Sequence, residues 1–315
     1  MKKIMRLGTR GSPLALVQAQ IVRDTMYQAY PDMQASCDIE IVPLRTSGDW
    51  IPEHKEQSFL DMGASKGMFT KEIEEALLSN MIDFAVHSMK DVSVTVPDGL
   101  SFSAILKRGD PRDALLSPIA PRLEDLPSGA RVGTSSLRRR AQILALRPDL
   151  TVIPLRGNVD TRMKKLAAEE ADATILAVAG LSRLGVEEKI ATIFDTKTML
   201  PAAAQGFLGI QTRENDSETI SLVQAINDER SAWCCAAERA FLQAVDGSCR
   251  MPIAAYATLD EGTGLTIEGL VAKPDGSAII RKSSGGDSSK ATELGAMLGA
   301  EIKSEMSPDF FVPEA

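Results

Sequence analysis

The sequence predicts an α/β chain built from two similar doubly wound domains around a cleft, followed by a C-terminal α+β domain with a three-stranded antiparallel sheet. Three observations lead there. Strand-like and helix-like segments alternate through the first two-thirds. One local device occurs twice, a strand end running through Gly-Thr into a serine-started helix, at Gly8-Thr9 with Ser12 and at Gly133-Thr134 with Ser136. From about residue 229 the alternation gives way to a helix, a loop and short strands of period two.

The elements follow in order. MRLGT (5–9) reads as a strand and 13–29 as a helix, with Ser12 as cap and Pro13 in the first turn. Leu14, Leu16, Val17, Ile21 and Val22 fit one helical stripe. The segment 67–88 reads as a helix running into a buried-type strand, and 160–180 repeats that order. Segments 107–112 and 199–206 carry Pro and Gly and read as hinges. The expected domains are 1–106 plus 205–225, then 112–200, then 229–315. In the last, a helix near 231–245 is expected to bury Trp233, Cys234, Ala237, Phe241, Ala244 and Val245. Strands at 254–259 and 265–272, a turn at Lys273–Gly276 and a final helix at 289–304 complete the reading.

Composition narrows the function. The chain has 315 residues, a net charge of −8, and 44% hydrophobic and 25% charged residues, as in soluble globular proteins. No apolar run reaches membrane-spanning length, and the N-terminal segment lacks the apolar core of a signal peptide. The cysteines, Cys37, Cys234, Cys235 and Cys249, form no CxxC pair, which suits reduced thiols in the cytoplasm. His54 and His87, the two histidines, lack ligand spacing, so no metal is expected.

Against this acidic background, residues 131–165 hold nine basic residues and only Asp149 and Asp160, a local excess of seven positive charges. The excess surrounds VGTSSLRRR (132–140), where a helix start and arginine forks suit carboxylates or phosphates. A solvated basic face is the bland alternative. The segment contains no Phe, Trp or Tyr, which argues against a nucleic-acid surface. Elsewhere, DFAVHSMKDV (83–92) ends a strand in Lys90 and Asp91, where a carboxylate could stabilise a developing cation. Cys249 follows Gly247-Ser248 in a loop, whereas Cys234 and Cys235 lie on a helix and read as packing.

These segments, with SKGMFTKEIE (65–74), GDPRDA (109–114), LRGNVDTR (155–162), LAVAGLSRLG (176–185), AAQGFLGI (203–210) and GSCRMPIA (247–254), resemble the porphobilinogen deaminase family across nearly the whole chain. The resemblance implies a transferase that condenses four porphobilinogen molecules, with loss of ammonia, into linear hydroxymethylbilane, released by hydrolysis. It also implies a dipyrromethane cofactor joined by a thioether to Cys249. Asp91 matches the catalytic aspartate. Lys90, Ser136, Arg138, Arg139, Arg162 and Gln205 match cofactor-binding groups, and Arg10, Ser12, Gln18, Arg156, Arg183 and Lys66 match substrate-binding ones. A cytoplasmic monomer that hands its product to uroporphyrinogen III synthase is the implied setting. The chain departs from the family pattern at Ser248, Arg250, Ser93, Pro154 and the segment DMGASKG (61–67). The two-domain plan is also that of solute-binding proteins, but an anion carrier needs no cysteine in a loop.

Overall fold

The computed structural model describes residues 2–46, 70–245, 251–307 and 310. The chain forms two compact units, one of Met1–Lys107 with Phe207–Glu229 and the other of Arg108–Gly206 with Arg230–Ala315. In chain order the first stretch holds β1 (Lys3–Arg10), α1 (Pro13–Ala29), α2 (Met33–Ser36), β2 (Cys37–Leu44), α3 (Lys71–Leu78), β3 (Phe84–Ser88) and β4 (Leu100–Ile105). The second holds β5 (Asp113–Leu116), β6 (Arg131–Gly133), α4 (Leu137–Leu146), β7 (Thr151–Ile153), α5 (Val159–Ala167), β8 (Ala173–Ala177), α6 (Val178–Leu184) and β9 (Thr192–Ile193). β10 (Leu208–Arg213) and α7 (Ser217–Gln224) return to the first unit. The chain ends with α8 (Glu229–Ala244), β11 (Ile253–Leu259), β12 (Gly264–Ala272), β13 (Ile279–Asp287) and α9 (Ala291–Glu305).

The first unit is a five-stranded sheet in the order β2-β1-β3-β10-β4. β1 runs parallel to β2 and β3, and β10 runs antiparallel to β3 and β4. The second unit has a sheet in the order β7-β6-β8-β5-β9, again a parallel trio followed by an antiparallel strand. The duplication expected from two short matches is therefore one of whole topology. The antiparallel strand is reached last in the first unit and first in the second, because β5 opens the second segment and β10 follows it.

Local chemistry explains the repeated start. Ser12 has extended dihedrals and its Oγ accepts from the Ala15 N–H at 3.3 Å, with Pro13 in the first turn of α1. Ser136 does the same for α4, accepting from the Arg139 N–H at 3.4 Å. Each cap satisfies an amide that the helix cannot. The buried face of α1 differs from the sequence stripe: Ala15, Gln18, Ala19, Val22 and Met26 are buried, while Leu16 is 38% exposed. Small alanines let the helix lie close to the sheet, so the larger leucines fall to its flanks. The core on this side joins Met5, Leu7, Val22, Met26, Phe84 and Ile210.

The last part of the chain forms the expected antiparallel sheet, β11-β12-β13. The Lys273–Gly276 turn is present, with Gly276 at φ 77°, a conformation that disfavours a side chain. α8 buries Cys234, Ala237 and Phe241 as expected, and also Cys235 and Glu238, and Val245 is buried just beyond it, while Trp233 and Ala244 are only partly covered. Within the second unit, Ala141 of α4 and Leu200 pack with Ala254, Leu270 and Ala272 of this sheet. No helix among the described residues is long and apolar enough to cross a membrane.

Candidate functional site

Polar side chains of the first unit gather where β1 and β3 end. β1 delivers Arg10 and the cap Ser12, and β3 ends at Ser88 and passes into a short 3₁₀ turn, Met89–Asp91. Parallel strands expose their carboxyl ends as the natural place for a ligand. A cavity of about 70 Å³ there is lined by Arg10, Ser12, Gln18, Thr70, His87, Ser88 and Asp91, among others. Buried Gln18 braces it, its Nε2 donating to Ser88 Oγ at 2.8 Å. Asp91 is exposed on the rim, and no described residue pairs with it. Lys90 lies in the same turn and is partly covered. His87, one of the polar residues that end the DFAVHSMKDV strand, is a buried wall of this cavity. Burial lowers its pKa to about 4, with the Arg10 charge acting the same way against a favourable contact to Gln211. The ring is therefore uncharged at neutral pH.

The second unit builds a different site on the same backbone plan. Arg138 and Arg139, in the first turn of α4, are 4% and 5% exposed. Both meet the fully buried carboxylate of Asp113, at 2.7 and 2.8 Å. Arg138 also donates to the Leu200 carbonyl and Arg139 to the Ile175 carbonyl, each at 2.8 Å. Burial pushes the Asp113 carboxyl up, but the two guanidiniums outweigh it and hold the group well below the ordinary carboxylate range. One carboxylate against two guanidiniums leaves a net positive charge inside the protein, and the Nε–H of each arginine has no partner. An undercompensated buried charge is costly and favours a second anion. Gln205 joins the set, its Nε2 donating to Asp113 Oδ1 at 3.0 Å and to the Pro111 carbonyl at 2.7 Å. Arg183 donates to the adjacent Gly206 carbonyl at 2.7 Å. No described carboxylate lies against it, and burial lowers its pKa to about 10, still protonated at neutral pH.

Arg156 and Arg162 stand around Gly157, whose carbonyl accepts from Arg162 Nε at 2.8 Å. Cys249 and Lys66 lie outside the described residues, as does DMGASKG. The basic island shrinks on inspection. Arg131 pairs with Asp172, Arg147 with Asp149, Lys164 with Asp160 and Lys165 with Glu170. Three of the compensating carboxylates, Asp113, Glu170 and Asp172, lie outside the segment and lower its excess from seven positive charges to four. Asp113 was the residue missed, although it sits in GDPRDA and opens a strand whose four residues are all buried. A charge at such a position signals a committed partner.

A strand-end carboxylate in one unit and undercompensated arginines in the other define a class, an α/β enzyme that handles an anionic substrate. Residues 5–221 match the family model described as porphobilinogen deaminase, dipyromethane cofactor binding domain, and residues 232–304 match the porphobilinogen deaminase C-terminal domain. The chain is 47% identical to the porphobilinogen deaminase of Nitrobacter winogradskyi, over 97% of this chain and 94% of that protein. It is 43% identical to the chloroplastic porphobilinogen deaminase of Oryza sativa subsp. japonica, over 98% and 86%. Among solved structures, the methionine binding protein MetQ aligns with a TM-score of 0.43 at 14% identity, covering 71% of this chain and 89% of that one. The periplasmic VFT2 domain of Bordetella pertussis BvgS aligns at 0.40 and 17%, covering 71% and 86%. The chain belongs to the porphobilinogen deaminase family, transferases of tetrapyrrole assembly that use a dipyrromethane cofactor.

Proposed function

We propose that this chain condenses four porphobilinogen molecules head-to-tail into linear hydroxymethylbilane, on a dipyrromethane primer held by a thioether to Cys249, with hydrolysis freeing the product. The observation that carries this reading is the net-positive cluster of Asp113, Arg138 and Arg139 with two orphaned Nε–H donors. Pyrroles bearing acetate and propionate fit it, because a carboxylate would neutralise the buried charge and take the free donors. Arg183, with no described carboxylate against it, suits a further acidic side chain. The cysteines favour the same attachment point. Cys37, Cys234 and Cys235 are buried, burial raises the Cys37 thiol and pushes Cys235 up to about 12, and such thiols are poor nucleophiles.

When bound, the primer supplies the pyrrole carbon to which the first unit is joined. Each addition breaks the aminomethyl C–N bond of one porphobilinogen, forms a C–C bond, and releases ammonia and the proton of the attacking carbon. Positive charge develops on the porphobilinogen ring as the amine departs. Asp91, exposed and without a competing partner among the described residues, is the carboxylate that stabilises this charge. Arg10, Ser12 and Gln18 line the same cavity and hold the incoming ring. Lys90, Ser136, Arg162 and Gln205 serve the cofactor, and Lys66, Arg156 and Arg183 the substrate. In this reading the catalytic domain is 1–106 plus 205–225, the anion-binding domain 112–200, and the cysteine-bearing domain 229–315. The enzyme acts as a cytoplasmic monomer and hands its product to uroporphyrinogen III synthase.

The intact mass of the purified protein tests this. The parent should carry the added mass of two pyrrole units, and Cys249→Ser should lack both the addition and turnover. An unmodified, active parent, or an adduct mapped to another cysteine, would overturn the assignment.

A further inference from the structure

Below the rim of the first cavity lies a polar set that the proposed chemistry leaves unused. His87 on β3 and Gln211 on β10 are 6% and 0% exposed. The register pairs His87 with Gly209 and Ala85 with Gln211, which places His87 and Gln211 on one face of the sheet. α3 covers that face, Ile73, Ala76 and Leu77 packing with Ala85. The helix also brings Glu74, whose Oε1 accepts from Gln211 Nε2 at 3.4 Å. Gly209 makes room for the imidazole's neighbours, since a Cβ there would lie 2.1 Å from Met89 Sδ and 2.9 Å from Phe102 Cδ1. Phe102 in turn stands edge-on to the imidazole, with centroids 5.8 Å apart at 77°. The ring is walled in and cannot turn cheaply.

Two buried atoms of this set have no hydrogen-bond partner, His87 Nε2 and Gln211 Oε1. Gln211 donates from Nε2 to Glu74, and its acceptor Oε1 is the atom left without a partner. Gln211 favours the proton-bearing ring, as an acceptor does. The two orphans are therefore complementary only when Nε2 carries the proton. Nδ1 is not among the buried orphans, and His87 lines the cavity that Asp91 rims. We propose that Gln211 and Glu74 hold His87 as the Nε2–H tautomer, so that its Nδ1 lone pair accepts an N–H of bound porphobilinogen beside Asp91. The inference rests on the proposed substrate. His87 touches substrate in this account, and Gln211 and Glu74 act through it as positioning residues. Among the described residues, the charged groups around the ring are Arg10 on β1, Glu74 on α3 and Asp91 on the turn after β3. Burial keeps the imidazole neutral among them. A neutral acceptor can order an N–H without adding a second negative charge to the Asp91 cavity.

The chain has only two histidines, so labelled imidazole nitrogens can be assigned with one His54→Gln variant. Long-range proton–nitrogen spectra of the cofactor-loaded protein at neutral pH should show His87 protonated at Nε2 and bare at Nδ1. Adding porphobilinogen to loaded Asp91→Asn should shift Nδ1 and leave Nε2 in place. Gln211→Leu should give a mixture of tautomers. His87→Asn, which keeps an acceptor near the Nδ1 position, should retain kcat/KM within about 3-fold, while His87→Leu should lose about 10-fold or more, the worth of one hydrogen bond. An Nδ1–H tautomer, an Nδ1 signal indifferent to substrate, or equal activity of the Asn and Leu variants would each overturn the proposal. A parent lacking both the pyrrole mass and turnover would sink the functional reading instead, while the free-protein spectrum would still decide the tautomer.

Discussion

The two α/β units share a backbone plan and differ in the sign of their chemistry. Both have a parallel trio, an antiparallel neighbour and a serine-capped helix after the central strand of the trio. The first places an exposed Asp91 and a neutral His87 at its strand ends. The second buries Arg138 and Arg139 against Asp113 and keeps a surplus positive charge. The backbone thus determines where the ligand-facing ends lie, and a few side chains decide what each end does. A carboxylate left exposed suits chemistry, because it is free to meet a transient charge. Arginines locked to a carboxylate suit binding, because their positions are set before the ligand arrives.

The largest difference should appear in stability. Asp113→Leu strands two buried guanidiniums and should cost about 3–5 kcal/mol in denaturant unfolding. Asp91→Ala removes an exposed carboxylate that no described residue pairs with and should change stability by about 0.5 kcal/mol or less. Similar losses in the two variants would erase the distinction between the units.

Acid should next reveal the first unit. The folded pKa of His87, about 4, lies below its ordinary 6.5, so the unfolded chain takes up the proton first. Its contribution is intact above pH 6.5 and is lost as pH falls toward 4, by about 3 kcal/mol in all. Asp113, likewise depressed, loses its contribution only below the ordinary carboxylate range. Glu74 and Glu238, raised by burial, act in the opposite direction, so the informative quantity is the difference between parent and His87→Asn. A flat difference between pH 6.5 and 4 would refute the buried neutral ring.

A smaller effect separates arginines within the second unit. Arg183→Leu should weaken substrate loading by about 1.5–3 kcal/mol, the range for a charge-assisted hydrogen bond. Arg122→Leu, which breaks only a surface pair with Asp125, should leave loading unchanged. Titrating porphobilinogen into each cofactor-loaded variant reads both, and equal affinities would remove Arg183 from the site.

What could be read from the sequence was local. Ser12, Pro13 and Ser136 announce helix starts because capping involves neighbours three residues away, and Lys273–Gly276 announces a turn for the same reason. Asp91 is recognisable at the end of an apolar strand. What could not be read required partners far along the chain. Arg138 and Arg139 look like free charges until Asp113, some 25 residues earlier, is brought to them. Glu238, on a helix that reads as packing, accepts from Arg108, Ala204 and Ala257, three segments no periodicity connects. The face of α1 was misjudged because alanines count little in an apolar pattern and much in close packing.

The division of labour itself is tested by single-turnover kinetics on Asp91→Asn whose cofactor has been confirmed by mass. The variant keeps the shape of the carboxylate and loses its charge, so the account predicts porphobilinogen binding within a few-fold of the parent. It predicts a bond-forming rate lower by about 100- to 1,000-fold, as when a group that stabilises developing charge is removed. A loaded Asp91→Asn protein that joins porphobilinogen at close to the parental rate would contradict it.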